Sequence, residues 1–143
     1  MGHQNSAKVV WKGDGLNFKG QVGSGYEFDV GGGPNKVGGS PMEYLLIGLV
    51  GCTAVDVVGM LEKQRQKVLG LEVESVGLRA DDYPMVYTDV TVTYRVRGID
   101  IDPRAVARAI QLSEEKYCSA SAMFMRSGAN MELNFEIIEV DEE

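Results

Sequence analysis

The stretch SPMEYLLIGLVGCTAVDVVGMLEKQRQK, residues 40–67, decides how this chain folds. Its first residues fit a capping box, in which Ser40 caps a helix, Pro41 takes the first helical position and Glu43 the third. The pattern therefore predicts a helix that begins after Ser40 and runs to about the end of the stretch. Residues 45–61 are apolar on nearly every face, and a helix that is hydrophobic all round has to be covered all round.

The cover for this helix has to come from several parts of the structure. One small sheet covers one side, so other strands, a second helix or a second copy of the chain must cover the rest. Residues 44–61 approach the roughly 18 residues of a membrane span, but they include Asp56 and lie among amphipathic strands. We therefore expect a buried helix in a soluble protein. The polar N-terminus shows no secretion signal, which predicts a cytoplasmic location.

Alternation of apolar and polar residues predicts strands on both sides of this helix, because successive side chains of a strand point to opposite faces. The predicted strands are residues 9–11, 16–22 and 26–30 before the helix and residues 71–79, 88–97 and 131–140 after it. Asp102 and Pro103 begin a second predicted helix, which ends near Tyr117. This order predicts one α+β domain, residues 1–143, with mostly antiparallel strands.

A glycine-rich segment, residues 31–39, precedes the long helix. A phosphate-binding loop places a lysine directly after its last glycine, whereas Lys36 comes before the second glycine cluster of this segment. The segment is therefore predicted to be a connection into the helix.

Composition narrows the chemistry that the chain can perform. The 143 residues carry a formal charge of −7, which argues against nucleic acid or an anionic membrane as the main partner. The single histidine, His3, excludes Ser-His-Asp hydrolysis and histidine-rich metal sites within one chain. Cys52 and Cys118 remain as the residues that could supply thiolate chemistry.

The two cysteines lie in different predicted contexts. Cys52 lies inside the apolar helix, where a cysteine often packs as a small hydrophobic residue. Cys118 lies where the second helix is predicted to end, a place from which a thiol can approach another sulfur. A cysteine has an ordinary pKa of about 8.5 and burial raises it, so an attacking thiolate needs a nearby cation. Asp56, one turn after Cys52, either pairs with a basic group or backbone amides or holds such a cation.

Several short motifs follow one another in the sequence: Pro41-x-Glu43-x-Leu45, then Gly51-Cys52, then Cys118 followed by serine. These motifs, and the order of strands and helices, resemble the OsmC/Ohr family of thiol-dependent hydroperoxide reductases over nearly the whole chain. Within that family the chain is most similar to a poorly characterised branch. The resemblance implies an intertwined homodimer, with antiparallel sheets wrapped around two central helices and active sites at the subunit interface.

The resemblance also implies roles for individual residues. In the better-known members the first cysteine attacks the peroxide and the second resolves the product, roles that fall by position on Cys52 and Cys118. A glutamate near the helix start, here Glu43, and an arginine from the N-terminal strands activate the attacking thiolate. Neither a metal nor an organic cofactor is needed. An external thiol, for example of the dihydrolipoyl type, reduces the resulting disulfide.

The chain departs from the family pattern in two places. Met42 follows Pro41 where the peroxidase branches place their glutamate, and Glu43 comes one residue later, a shift that rotates a helical side chain by about 100°. Glu43 is therefore either catalytic or only the capping acid. No arginine precedes Arg65, and the lysines of the first strands do not replace a bidentate guanidinium. Arg126 is a candidate substitute.

Two functions of different classes are consistent with the sequence. One is reduction of organic hydroperoxides in defence against oxidative stress, with Cys52 as the nucleophile and Cys118 as the resolving thiol. The alternative is a non-catalytic homodimer that binds a hydrophobic small molecule in an interface pocket, with thiols that only pack. A third function, metal binding by Cys52, Cys118 and Glu43, is disfavoured because two thiols without histidine make a poor zinc site.

Overall fold

The computed structural model describes residues 3–141, which form six strands, three α-helices and a π-helical turn. The elements in chain order are β1 (Ala7–Trp11), β2 (Leu16–Val22), β3 (Glu27–Gly32), α1 (Pro41–Lys63), β4 (Lys67–Arg79), β5 (Tyr87–Ile99), α2 (Pro103–Leu112), a π-helical turn (Ser113–Tyr117), α3 (Ser119–Arg126) and β6 (Asn130–Glu139). The predicted α+β class is confirmed. The chain divides into two units, residues 1–45 and residues 46–143, and a single domain that spans both stays a prediction.

The first unit contains a three-stranded antiparallel sheet in the order β1-β2-β3. Alternation along β2 predicts Asn17 on the polar face, but this residue is only 3% exposed. Its Oδ1 accepts the Val37 amide proton at 2.9 Å, and its Nδ2 donates to the Asn35 carbonyl at 3.3 Å. The glycine-rich segment is therefore a connection that a buried amide fixes to β2.

The second unit contains the sheet β4-β5-β6, in which β5 is central. Strand β5 pairs antiparallel with β4 and parallel with β6, so the prediction of mostly antiparallel strands is confirmed. The alternation predicted for β5 is also confirmed, because four side chains on one face are at most 1% exposed: Val90, Val92, Tyr94 and Val96. This face of β5 belongs to the hydrophobic core of the unit.

Helix α1 begins at the predicted capping box but ends earlier than predicted. The expected end near residue 67 is wrong, because Arg65 adopts a left-handed φ of 59° and the helix stops at Lys63. The amide of Gln66 then donates to the carbonyl of Leu61 at 3.0 Å, as in a Schellman motif. A left-handed arginine, which no local pattern indicates, thus turns the chain into β4.

The second predicted helix has the expected bounds, although its last turn is π-helical, and a third helix follows it. Asp102 caps α2 as predicted, because its carboxylate accepts the Arg104 amide proton at 2.9 Å. The predicted end near Tyr117 is confirmed, because α2 runs to Leu112 and the chain continues without a break as the π-helical turn to Tyr117. The π-helical geometry of these last five residues is not predicted. Helix α3 lies outside the predicted elements and begins directly after Cys118.

Only one side of α1 is buried within the chain. The buried residues repeat every four positions and form one stripe: Leu49, Thr53, Val57 and Leu61. Other apolar side chains of the helix are exposed, among them Ile47 at 62% and Val55 at 74%. Helix α1 is long and apolar enough to cross a membrane. Core helices of soluble proteins also meet these two criteria, so they are weak evidence for a membrane span. The predicted burial on every side is therefore not achieved by a single chain.

A series of hydrogen-bonded hydroxyl groups crosses the core of the second unit. The hydroxyl oxygen of Tyr94 lies 2.7 Å from Thr53 Oγ1, which in turn lies 2.9 Å from Ser113 Oγ. Ser113 donates to Asp56 Oδ2 at 2.9 Å. The three hydroxyl residues are buried and Asp56 is partly exposed, so the series runs from the core toward the surface. We call these four residues the hydroxyl network.

The carboxylate of Asp56 fixes the direction of these hydrogen bonds. A carboxylate oxygen accepts, so Ser113 uses its only hydroxyl proton on Asp56. Thr53 must then donate to Ser113, and Tyr94 must donate to Thr53. Burial raises the pKa of Tyr94 to about 12, so the phenol keeps its proton and remains a donor at physiological pH.

Replacing Tyr94 by phenylalanine should change how stability depends on alkaline pH. A phenol with a pKa of about 12 in the folded protein and 10.0 in the unfolded chain binds its proton more tightly when folded. Its contribution is complete below pH 10 and is lost as the pH rises toward 12, at up to about 1.4 kcal/mol per pH unit. We expect the free energy of unfolding, measured with urea, to fall more steeply above pH 10 in the wild type than in Tyr94→Phe.

Tyr83→Phe is the matched control for this measurement. Tyr83 is 89% exposed, so its removal should leave the wild-type pH dependence unchanged. Equal slopes for the wild type and Tyr94→Phe would contradict the assignment of Tyr94 as a buried proton donor.

Candidate functional site

Two cysteines from distant parts of the sequence meet in the second unit. Cys52 lies half-buried in the middle of α1, and Cys118 lies buried between the π-helical turn and α3. Their thiols are close enough to interact, and both are free rather than joined in a disulfide. The fold thus brings together the two residues that the sequence singles out for sulfur chemistry.

The surroundings of Cys118 set the acidity of its thiol. Burial raises the pKa of Cys118, and the neighbouring thiol of Cys52 raises it as well. The hydroxyl and the backbone amide of Ser121 oppose this rise, and the amide donates to the Cys118 sulfur at 3.3 Å. Because burial dominates, the Cys118 thiol carries its proton at neutral pH.

Ser113 connects the second cysteine to the helix that carries the first. Its carbonyl accepts the amide proton of Cys118 at 2.7 Å, the hydrogen bond that closes the π-helical turn. Its hydroxyl lies 2.9 Å from that of Thr53, the residue after Cys52 in α1. A short path of hydrogen bonds therefore joins the backbones of the two cysteines.

Glu43 serves the start of α1. Its Oε1 accepts the Ser40 amide proton at 2.8 Å, and its own amide donates to Ser40 Oγ at 3.2 Å. Lys36 lies 3.6 Å from the same Oε1. The backbone and hydroxyl hydrogen bonds of Ser40, followed by the charge of Lys36, lower the pKa of Glu43. The capping-box prediction is confirmed, and a catalytic role for Glu43 stays a prediction.

A carboxylate in the first unit pairs with two lysines of the same unit. The ammonium of Lys12 lies 2.6 Å from Asp29 Oδ1, and that of Lys19 lies 3.1 Å from it. These hydrogen bonds, that of Lys12 foremost, lower the pKa of Asp29. Arg126, the candidate substitute for the family arginine, is exposed in the last turn of α3. The structure therefore gives Lys12 and Lys19 a role in joining the strands of the first unit.

Asp56 has a partner that the sequence does not predict. The expected partners were a basic group, backbone amides or a cation, whereas its Oδ2 accepts the hydroxyl proton of Ser113. The same residue lines a surface groove of about 370 Å³, where α1 faces α2 and the π-helical turn. Asp56 thus links the buried hydroxyl network to this groove.

Within residues 3–141, no three or more side chains of His, Cys, Asp or Glu are grouped in a way that could hold a metal ion. The set of metal ligands that the sequence offers, Glu43 with Cys52 and Cys118, is not brought together as such a group. A zinc site usually completes its shell with histidine or further thiolates.

The sequence analysis does not identify three polar residues that lie near the cysteines or in the hydroxyl network. Thr53 and Ser113 are buried, and Glu114 Oε2 is buried without a hydrogen-bond partner among residues 3–141. Ser113 follows Val106 and Ile110 on the apolar face of α2, at positions seven and three residues later. A serine at a helical position that continues an apolar face is predicted to be buried. A buried hydroxyl needs a hydrogen-bond partner, so this position is the sequence signal for a buried polar contact.

Known proteins resemble this chain in sequence and in fold. The profile of OsmC-like proteins matches residues 32–134. Protein YhfA of Escherichia coli strain K12 is 37% identical over 132 residues, which cover 92% of this chain and 97% of YhfA. A crystal structure of a hypothetical protein from Aquifex aeolicus VF5 has a TM-score of 0.86 at 27% identity, covering 97% of this chain and 99% of that one.

A more distant likeness concerns the fold alone. The organic hydroperoxide resistance protein OhrB of Bacillus subtilis has a TM-score of 0.63 at 17% identity, over 94% of this chain and 98% of OhrB. The profile match and the identity to YhfA both extend over most of the chain. On these two findings the chain belongs to the OsmC-like protein family.

Proposed function

We propose that this chain reduces organic hydroperoxides through its two neighbouring thiols, Cys52 and Cys118. The thiolate of Cys52 attacks one peroxide oxygen, the O–O bond breaks, and the other oxygen leaves and takes up a proton to give the alcohol. Cys52 is thereby oxidised to a sulfenic acid. The sulfur of Cys118 then bonds to that of Cys52, and the sulfenic oxygen leaves as water. An external dithiol or two thiols reduce the disulfide and are themselves oxidised.

The observation that carries this proposal is the proximity of two free thiols that are distant in sequence. Their surroundings support the assignment of roles. Cys52 is half-buried, so a peroxide has access to it, whereas Cys118 is only 3% exposed. The raised pKa of Cys118 keeps this thiol protonated, so it does not compete with Cys52 for the peroxide. Apolar side chains along α1 favour an organic hydroperoxide over hydrogen peroxide.

The likeness to OhrB is consistent with this chemistry. OhrB is named an organic hydroperoxide resistance protein, and its fold is shared over nearly the whole chain. At 17% identity the likeness concerns the fold, so the activity is proposed for this chain on the strength of its own thiols.

The proposal includes a homodimer in which a second copy covers the open sides of α1. Exposed Ile47 and Val55 would lose their contact with water there, at a gain of about 25 cal/mol for each Å² of apolar surface buried. A second copy is also the cover that the family resemblance implies. Because Cys52 lies on the same helix, the dimer would close the peroxide site from bulk water.

A binding function without catalysis is the second candidate. The groove beside Asp56 has a volume of about 370 Å³ and includes apolar side chains in its lining: Val55, Met60, Leu112 and Tyr117. In this alternative a hydrophobic small molecule is bound and the thiols only pack. The two candidates differ in one respect, since only the first makes Cys52 react with a hydroperoxide.

Substoichiometric cumene hydroperoxide should join Cys52 to Cys118 in the reduced protein. Peptide mapping by mass spectrometry should find the two cysteines in one cross-linked species, in proportion to the peroxide added. In Cys118→Ser the reaction should stop at the Cys52 sulfenic acid, which dimedone traps, because no resolving thiol is present.

Cys52→Ser provides the control for this experiment and should leave the peroxide unconsumed. Two unmodified thiols in the wild type, even after excess hydroperoxide, would refute the peroxidase proposal. Retention of an apolar ligand by the same protein would then favour the binding function.

Glu43→Gln separates the capping role of this residue from a catalytic one. The amide oxygen of glutamine can still accept the Ser40 amide proton, but the charge is lost. We expect the rate of disulfide formation with cumene hydroperoxide to stay within about twofold of the wild type, since a general acid or base is worth about a hundredfold or more. A loss of that larger size, measured by quenched mass spectrometry, would assign Glu43 to catalysis.

A further inference from the structure

We propose that Ser113 is a positioning residue for disulfide formation, because it holds Cys118 against the helix that carries Cys52. The role of Ser113 in turnover rests on the proposed peroxidase function. Its effect on the two thiols can be measured without any peroxide.

The side chain of Ser113 is fixed on α1. The residue is 0% exposed, and its hydroxyl donates to Asp56 Oδ2 and accepts from Thr53 Oγ1, both at 2.9 Å. Thr53 follows Cys52, and Asp56 lies one helical turn after it. Both partners of the hydroxyl therefore move with the part of the helix that carries the first sulfur.

The backbone of Ser113 is fixed to Cys118. Its carbonyl accepts the Cys118 amide proton at 2.7 Å, across a π-helical turn of five residues. Such turns are rare because their hydrogen bonds span five residues instead of four, and they often occur at functional sites. Any displacement of Ser113 away from α1 is thus transmitted to Cys118 through one short hydrogen bond.

The chain after Cys118 is held as well. Its sulfur accepts the Ser121 amide proton at 3.3 Å and so caps α3. Cys118 is therefore constrained by Ser113 on one side and by α3 on the other. A disulfide requires sulfurs about 2.05 Å apart and Cβ atoms about 3.8 Å apart, so small changes in this placement matter for bond formation.

The hydroxyl network does more than fill space in the core. Replacing both partners of a buried hydrogen bond by apolar groups of the same shape can be nearly neutral, so stability alone does not account for hydroxyls at these positions. Each of the three buried hydroxyls has its partner, and the series ends on a carboxylate. Directional bonds of this kind fix one relative placement of two elements, which apolar contacts would leave less defined.

The test is the equilibrium of the full-length protein with glutathione. Glutathione disulfide is reduced to two glutathione molecules while Cys52 and Cys118 are oxidised to their disulfide, so no peroxide takes part. The equilibrium gives the effective concentration of one thiol toward the other. We expect Ser113→Ala to lower this effective concentration at least about fivefold, because two hydrogen bonds are lost and one of typical strength is worth about that factor.

Two variants of Asp56 make the test independent of the folding of Ser113→Ala. Asp56→Val removes one of the two partners of the Ser113 hydroxyl, at a partly exposed position, and should lower the effective concentration about fivefold, the effect of one lost hydrogen bond. Asp56→Asn keeps an acceptor oxygen for Ser113 and should restore most of the wild-type value. Ser119→Ala removes an exposed hydroxyl next to Cys118 and should change nothing.

Values within twofold of the wild type for both Ser113→Ala and Asp56→Val would overturn the proposal and leave Ser113 a purely structural residue. If Ser113→Ala does not fold, Asp56→Val decides alone. The peroxidase proposal fails separately, if the wild type forms the disulfide with glutathione but not with cumene hydroperoxide.

Discussion

Helix α1 carries more apolar surface than the rest of its chain covers, and the other features of the molecule depend on this constraint. One stripe of the helix packs into the second unit, while Ile47 and Val55 remain exposed. Large exposed apolar patches mark surfaces that bind another protein, a membrane or a ligand. Because Cys52 lies on this helix, whatever covers α1 also determines how water and solutes reach its sulfur.

Hydrogen bonds between hydroxyl groups allow polar residues to lie in the apolar core next to α1. A buried polar group is costly unless it is hydrogen-bonded, and Tyr94, Thr53 and Ser113 meet this condition by bonding in series to Asp56. The network contains no cation, because the carboxylate of Asp56 accepts its hydrogen bond from the hydroxyl of Ser113. The result is a rigid frame around Cys118, which lies close to Cys52 on a regular helix.

Sequence patterns predict the parts of this fold that depend on neighbouring residues. The strands follow from alternation, and the start of α1 follows from the reciprocal bonds of Ser40 and Glu43. The end of α1 could not be predicted because it depends on a left-handed Arg65, and α3 was missed because a cysteine is an uncommon N-cap. The hydroxyl network joins residues distant in sequence, so only the fold reveals the partner of Ser113.

The most direct test of this account is the mass of the wild-type protein in solution, measured by sedimentation equilibrium over a range of concentrations. In the proposed homodimer a second copy covers the open sides of α1. We therefore expect a species of twice the 15.6 kDa chain mass at micromolar concentration. A mass of 15.6 kDa at every concentration would contradict it, because α1 would then expose its apolar side chains to water in the native protein.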